Sequence, residues 1–289
     1  MRSCNRLLAV LALLLSAPVA AQEPAITQAD PARPQLALMG TIPIYWGEAD
    51  GMGDLIRGEA HAHWARDVIE EHAQPIPLDY LTPEALAPFN MLLMAQPRGL
   101  TAEENVALDA WVRGGGRLLL FADPMMTGES RFHIGDRRRP QDVALLSPIL
   151  THWGLELWLD DTQDEGLYHI DPNGDPIPVN MAGTWRSVGE ARDCVIEQDD
   201  LLARCAIGGG EVLLVADAAL LDIMGPYDGA TTAFDRLLTQ AFPDFGDQAG
   251  NDGQNAATQT ESPELSSNSN CHAGDANHEC AQIGEEDSS

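Results

Sequence analysis

The sequence of 289 residues contains no lysine. All 16 of its basic residues are arginine, set against 45 aspartates and glutamates, and the formal net charge is −29. Such a balance argues against nucleic-acid binding, which needs clustered Lys and Arg to neutralise phosphates. It argues equally against direct docking on anionic lipid headgroups. Long apolar runs are missing beyond the N-terminus, so no later segment reaches the roughly 20 apolar residues of a membrane-spanning helix. No G-x-S-x-G elbow occurs, and no cysteine sits at the end of a core strand, where a nucleophile would stand. Only five cysteines are present.

The N-terminus carries a compartment signal. Arg2 and Arg6 precede the apolar run Leu7 to Leu15, and Pro18-Val19-Ala20-Ala21 closes it with small residues. The pattern is that of a secretory signal peptide over 1–21, cleaved after Ala21, which would place the chain in the periplasm. An uncleaved N-terminal anchor is the alternative. Residues 22–34, with Pro24, Pro31 and Pro34, read as a linker. From Gly246 onward apolar residues almost vanish, so 246–289 reads as a disordered acidic tail. The remaining stretch, 35–245, suits one domain.

Within 35–245 apolar runs alternate with amphipathic stretches. Strands are expected at Leu36–Met39, Pro77–Leu81, Asn90–Ala95, Arg117–Ala122, Leu155–Trp158 and Glu211–Asp217, and helices over Asp54–His72, over 143–153 with a kink or a new start at Ser147-Pro148, and over Thr231–Ala241. Thr101-Ala102-Glu103-Glu104 is a capping box that opens another helix, and Gly114-Gly115-Gly116 ends it. Because the triple glycine follows a helix and opens a strand, it is a tight turn rather than a phosphate loop, which has the reverse order. The layout is α/β: an open, mostly parallel, doubly wound sheet. A β-rich insertion over about 160–206 precedes the last core strand.

Cys194 and Cys205 flank Asp199-Asp200 symmetrically. If those two aspartates form a two-residue hairpin turn, Cys194 faces Cys205 and Ile196 faces Ala203. Directly opposed residues lie within disulfide reach, so a Cys194–Cys205 bond is expected in an oxidising compartment. Cys271-His272 and His278-Glu279-Cys280 match no common zinc spacing, and a Cys271–Cys280 bond or no role suits them better. His61 and His63 would diverge on a helix. Neither a metal nor a cofactor is expected. Arg137-Arg138-Arg139, between Gly135-Asp136 and Pro140, reads as a solvated loop.

Ligands of open parallel sheets gather beyond the carboxyl ends of the strands. The residues expected there are Thr41, Tyr45, Trp46 and Glu48 after the first strand, Gln96 and Arg98 after the third, Asp123 after the fourth and Asp217 after the last. Trp46, Glu48, Arg98, Asp123 and Asp217 are the candidate ligand contacts. The plainer reading of both aspartates is that they cap turns.

Several stretches resemble one family: Gly40-Thr41-Ile42-Pro43-Ile44-Tyr45-Trp46-Gly47-Glu48, Leu92-Leu93-Met94-Ala95-Gln96-Pro97, Leu108-Asp109-Ala110-Trp111-Val112-Arg113-Gly114-Gly115-Gly116-Arg117, Phe121-Ala122-Asp123-Pro124 and Val212-Leu213-Leu214-Val215-Ala216-Asp217-Ala218. They are similar to the soluble domain of auxiliary components of ABC-type transport systems, including gliding-motility auxiliary proteins, and to the amidotransferase-like domain of an intraflagellar transport subunit. The resemblance implies a class I glutamine-amidotransferase-like (flavodoxin-like) fold without its catalytic Cys–His pair, no enzymatic activity, and a binding or scaffold role beside a membrane permease or another envelope protein. A periplasmic hydrolase using the strand-end carboxylates and a small-ligand or glycan receptor stacking on Trp46 are the alternatives.

Overall fold

A computed structural model describes residues 33–48, 53, 62–133, 135–171, 174–189 and 193–245. The expected signal peptide, nearly all of the linker, the tail with Cys271 and Cys280, and His61 lie outside the described residues.

The core is a seven-stranded sheet in the order β2-β1-β3-β4-β11-β10-β9. Here β1 is Gln35–Gly40, β2 Gln74–Pro77, β3 Met91–Ala95, β4 Arg117–Phe121, β9 Cys194–Glu197, β10 Leu202–Ile207 and β11 Gly210–Val215. The first five strands in that order run parallel, and β10 and β9 continue the sheet antiparallel. The described chain is therefore mixed α/β with a mostly parallel central sheet. Strands β3 and β4 are apolar on both faces and buried almost throughout, as expected of parallel strands covered above and below. Gly40 ends β1 because nothing larger fits: a Cβ there would land on the Ala95 carbonyl oxygen.

Among the described residues five α-helices accompany the sheet: α1 (Trp64–His72), α2 (Pro83–Leu86), α3 (Ala102–Arg113), α4 (Ser147–His152) and α5 (Ala230–Ala241). Helix α1 packs against α5, and α3 against both α2 and α4. The capping box at α3 is formed as expected, with the Thr101 hydroxyl accepting from Glu104 N and the Glu104 carboxylate accepting from Thr101 N.

Several boundaries differ from expectation. Helix α1 begins at Trp64, and His63 is its N-cap rather than a turn of helix, its Nδ1 accepting from Ala65 N. Residues 54–61 of the expected helix lie outside the described residues. Strand β2 lies at Gln74–Pro77 instead of Pro77–Leu81; as the sheet's edge it tolerates Pro75 and Pro77, which have no N–H to donate. Of the helix expected over 143–153, only the part from Ser147-Pro148 forms, at the new start that the sequence offered, where Pro at the first positions is compatible with a helix start. The β-rich stretch is not a separate insertion throughout. β5 (Leu155–Leu159) pairs with β8 (Gly183–Ser187), and β6 (Tyr168–Ile170) with β7 (Ile177–Val179), as two small sheets, but β9 and β10 join the core sheet.

The β9–β10 hairpin has the expected register: Cys205 faces Cys194 and Ala203 faces Ile196. Asp199 (φ 52°) and Asp200 (φ 63°) both adopt left-handed backbone, and Leu201 N donates to Gln198 O at 3.0 Å. This is the mirror-image turn that suits hairpin twist. The Cys194–Cys205 disulfide closes it. Replacing both cysteines by serine is expected to lower the unfolding free energy by about 2–3 kcal/mol. Urea denaturation in the absence of reductant measures this, and dithiothreitol should lower the wild-type midpoint toward that of the variant.

Candidate functional site

The carboxyl rim is built by residues that immediately follow β1, β3, β4 and β11. Gln96 leaves β3 in left-handed backbone at φ 46°, a conformation that costs a non-glycine residue free energy and persists only where its surroundings impose it. Its side chain supplies that restraint. Nε2 donates to Asp123 O (3.0 Å) and Gln141 O (2.8 Å), and Oε1 accepts from Asp123 N (2.8 Å). The Thr41 hydroxyl donates to Gln96 O and accepts from Gln141 N. Three loops are thereby stitched together at the strand ends.

Asp123 and Asp217 lie at equivalent places on neighbouring strands, two residues beyond the paired Phe121 and Val215. Both are buried. Asp123 accepts from Met125 N (2.8 Å) and Ala218 N (3.2 Å); Asp217 accepts from Ala219 N (2.6 Å) and Asn180 N (3.1 Å). Burial pushes the Asp123 carboxyl up to about 6, against the pull of its backbone donors. Burial, and then the charge of Asp123, pushes Asp217 well above the usual carboxylate range. Two like charges this close in a dry site do not both ionise readily. The pair also caps turns, which was the plainer expectation, and neither member lines a cavity among those described.

The other candidates separate. Trp46 is 60% exposed and makes a T-shaped contact with Tyr45, with ring centroids 4.6 Å apart. Glu48 is buried and spoken for: it accepts from the Ser130 hydroxyl at 2.6 Å and pairs with Arg131 at 3.3 Å. Arg98 is gripped by Glu104, with Nη1 and Nη2 donating at 2.9 and 2.7 Å, and it lies over the Tyr80 ring. The hydrogen bond from Arg98 holds the Glu104 carboxyl at about 2. Sequence reasoning saw Glu104 only as a cap; its second task as the partner of Arg98 depends on a loop folding back. His63 is also committed, Nε2 lying 3.0 Å from Leu221 O, and burial lowers its pKa despite that carbonyl.

A cavity of about 370 Å3 opens at this rim, bounded by Thr41, Arg98 and the loop from Gly135 to Asp142. The arginine cluster expected to be simply solvated thus contributes Arg137 and Arg139 to a cavity wall. The amino end of the sheet has a second cavity of about 360 Å3, beside Arg113, His152, Trp153 and Cys194. Among the described residues no group of His, Cys, Asp and Glu could hold a metal ion, and no helix is long and apolar enough to cross a membrane.

No family model and no curated protein matches the chain. Solved structures do. An exo-β-1,4-mannosidase from Opitutaceae bacterium strain TAV5 is 15% identical, with a TM-score of 0.40, over 76% of this chain and 36% of its own. Gan42B, a GH42 β-galactosidase from G. stearothermophilus, is 13% identical with a TM-score of 0.42, over 73% and 30%. A protein described as ThuA-like, from Bacteroides uniformis, is 8% identical with a TM-score of 0.36, over 77% and 99%. The chain spans about a third of the length of these glycosidases. The expectation that the chain is not an enzyme is corrected by these neighbours, several of which are glycoside hydrolases. At such identities and TM-scores the likeness carries no particular activity over.

The carboxyl pair has a pH signature. Both groups hold their protons to higher pH in the folded protein than in the unfolded chain. Their contribution to stability is therefore complete below the ordinary carboxylate pKa of about 4 and is lost as pH rises, through about 6 for Asp123 and through the raised folded-state value for Asp217. Urea midpoints of wild type and Asp217→Asn, compared between about pH 4 and 7, should show the wild type losing stability relative to the variant. A constant difference would mean that Asp217 ionises in the folded protein as it does in the unfolded chain.

Proposed function

We propose that the protein is an exported α/β binding domain that works through the carboxyl rim of its sheet at the cell envelope. The cavity beside Thr41 and Arg98 carries this reading: it is preformed, lies at the strand ends, and is walled by loops stitched through Gln96. Ligands of open α/β sheets favour that location. The Cys194–Cys205 bond supports an oxidising compartment, since such bonds persist outside the cytoplasm. The sequence resemblance to auxiliary components of ABC-type transport systems, with an amidotransferase-like fold, supports service beside a permease or another envelope protein.

One observation favours a hydrolytic reading instead. Two coupled carboxyls with raised pKa at adjacent strand ends are what acid–base chemistry uses. It requires the rim to open, because neither carboxyl faces a described cavity.

Two measurements separate the readings. Crosslinking in intact cells through a photoreactive residue placed at exposed Trp46 should capture an envelope protein from the periplasmic fraction; recovery of the chain in the cytoplasm, or no capture, counts against the binding reading. Purified protein assayed against nitrophenyl esters and glycosides should give turnover abolished by Asp217→Asn if the hydrolytic reading is right.

A further inference from the structure

The arginines of this chain are unevenly spread. Four of the sixteen fall between residues 131 and 139, and two of them, Arg137 and Arg139, border the rim cavity together with Arg98. Each of the three that border the cavity stands in a different electrostatic state. Arg98 is fixed from behind by the bidentate grip of Glu104. Arg139 Nε is 3.1 Å from Asp142 Oδ1, and its side chain is largely covered. Arg137 is exposed and has no carboxylate partner among the described residues.

The first two guanidinium groups therefore contribute placement and a little residual field, since their charges are already matched. Arg137 contributes a positive charge and a planar fork of donors for which the described residues supply no carboxylate. Thr41 is a wall rather than a ligand group, because its hydroxyl already donates to Gln96 O and accepts from Gln141 N. A guanidinium of this kind matches an oxyanion with two parallel hydrogen bonds. The net charge of −29 opposes an anion's approach at long range. At physiological ionic strength that field is screened beyond about 8 Å, so the nearby arginines decide what binds.

We propose that the rim cavity takes a small ligand bearing a carboxylate or phosphoryl oxyanion, and that Arg137 is the residue that recognises it. The inference rests on the rim as the binding face and names its ligand class. A cavity of about 370 Å3 has room for a group of monosaccharide size, at the lower end of the range for ligand sites.

The test uses the full chain in 1H–15N correlation spectra, titrated separately with glucuronate, inorganic phosphate and neutral glucose. Glucuronate or phosphate should shift the amides of Arg98 and of residues 135–139, 141 and 142. The effect should weaken as NaCl is raised, and Arg137→Gln, an exposed position outside the core, should reduce affinity by about tenfold, equivalent to roughly 1.4 kcal/mol. Response to glucuronate alone assigns a carboxylate, and response to phosphate alone a phosphoryl group. If glucose moves the same amides as strongly and Arg137→Gln leaves that unchanged, the rim binds ligands but the anionic class is wrong. If no probe moves these amides, the anion site is overturned, while the rim reading stands or falls on its own crosslinking result.

Discussion

Two carboxyl groups at the ends of adjacent parallel strands, both shut away from water, constrain everything at the carboxyl rim. Asp123 and Asp217 would repel each other if both were charged, and each would be costly to bury unpaired. The loops resolve this by delivering backbone N–H groups. Met125 and Ala218 serve Asp123, and Ala219 and Asn180 serve Asp217. Those four donors come from the segment after β4, the segment after β11, and the stretch joining β7 to β8. Keeping the carboxyls satisfied thus fixes three connections at once, and the small β-sheets of the 155–187 region are held to the core partly through Asn180.

Gln96 extends the same logic to the left half of the sheet. Its left-handed backbone is held by the hydrogen bonds of its own amide to Asp123 and Gln141. Thr41 bonds both Gln96 and Gln141, so the loops after β1, β3 and β4 are joined by one hydrogen-bond network. The cavity wall shares this network through Thr41 and Gln141. Beyond it, Glu104 immobilises Arg98 and Glu48 takes Ser130 and Arg131, so the carboxylates nearest the rim are occupied with shaping loops.

Local patterns carried much of the architecture. The strands that later proved central were apolar on both faces, and the capping box at Thr101 and the glycine turn at 114–116 announced their helix and its end. The disulfide was legible because a period of two and a turn of two aspartates leave only one register. Partnership between distant segments was less legible. Nothing local in Cys194–Glu197 says that it pairs onward to the core sheet rather than within an insertion. Pro77 looked like the start of a strand, although it ends one. Of the candidate site, the positions of Asp123 and Asp217 followed from topology, but their burial did not. Arg98 and Glu48 carried the charge of ligand contacts and turned out to be consumed by Glu104 and by Ser130 with Arg131. Arg137 to Arg139 read as solvated because a loop's composition does not reveal what it folds against.

The two ends of the sheet handle charge in opposite ways, and this bears on which of them meets a ligand. At the amino end Asp109 lies 2.7 Å from Arg113 and accepts from Trp153 Nε1 at 2.9 Å. Burial pushes its carboxyl up, but these two partners outweigh that and hold it low. Arg113 and His152 both reach that one carboxylate, so the charges there largely answer one another, beside a hairpin already closed by a disulfide. At the carboxyl end two buried carboxyls hold their protons to higher pH, and the cavity at the same rim is bordered by Arg98, Arg137 and Arg139, of which Arg137 has no carboxylate partner among the described residues. A left-handed Gln96, two buried carboxyls with raised pKa and a cation without a carboxylate among the described residues gather where parallel-sheet topology brings strand ends together. Stability alone would favour neutralising them, as the amino end does. Their persistence at the rim is the physical reason to look for the ligand there.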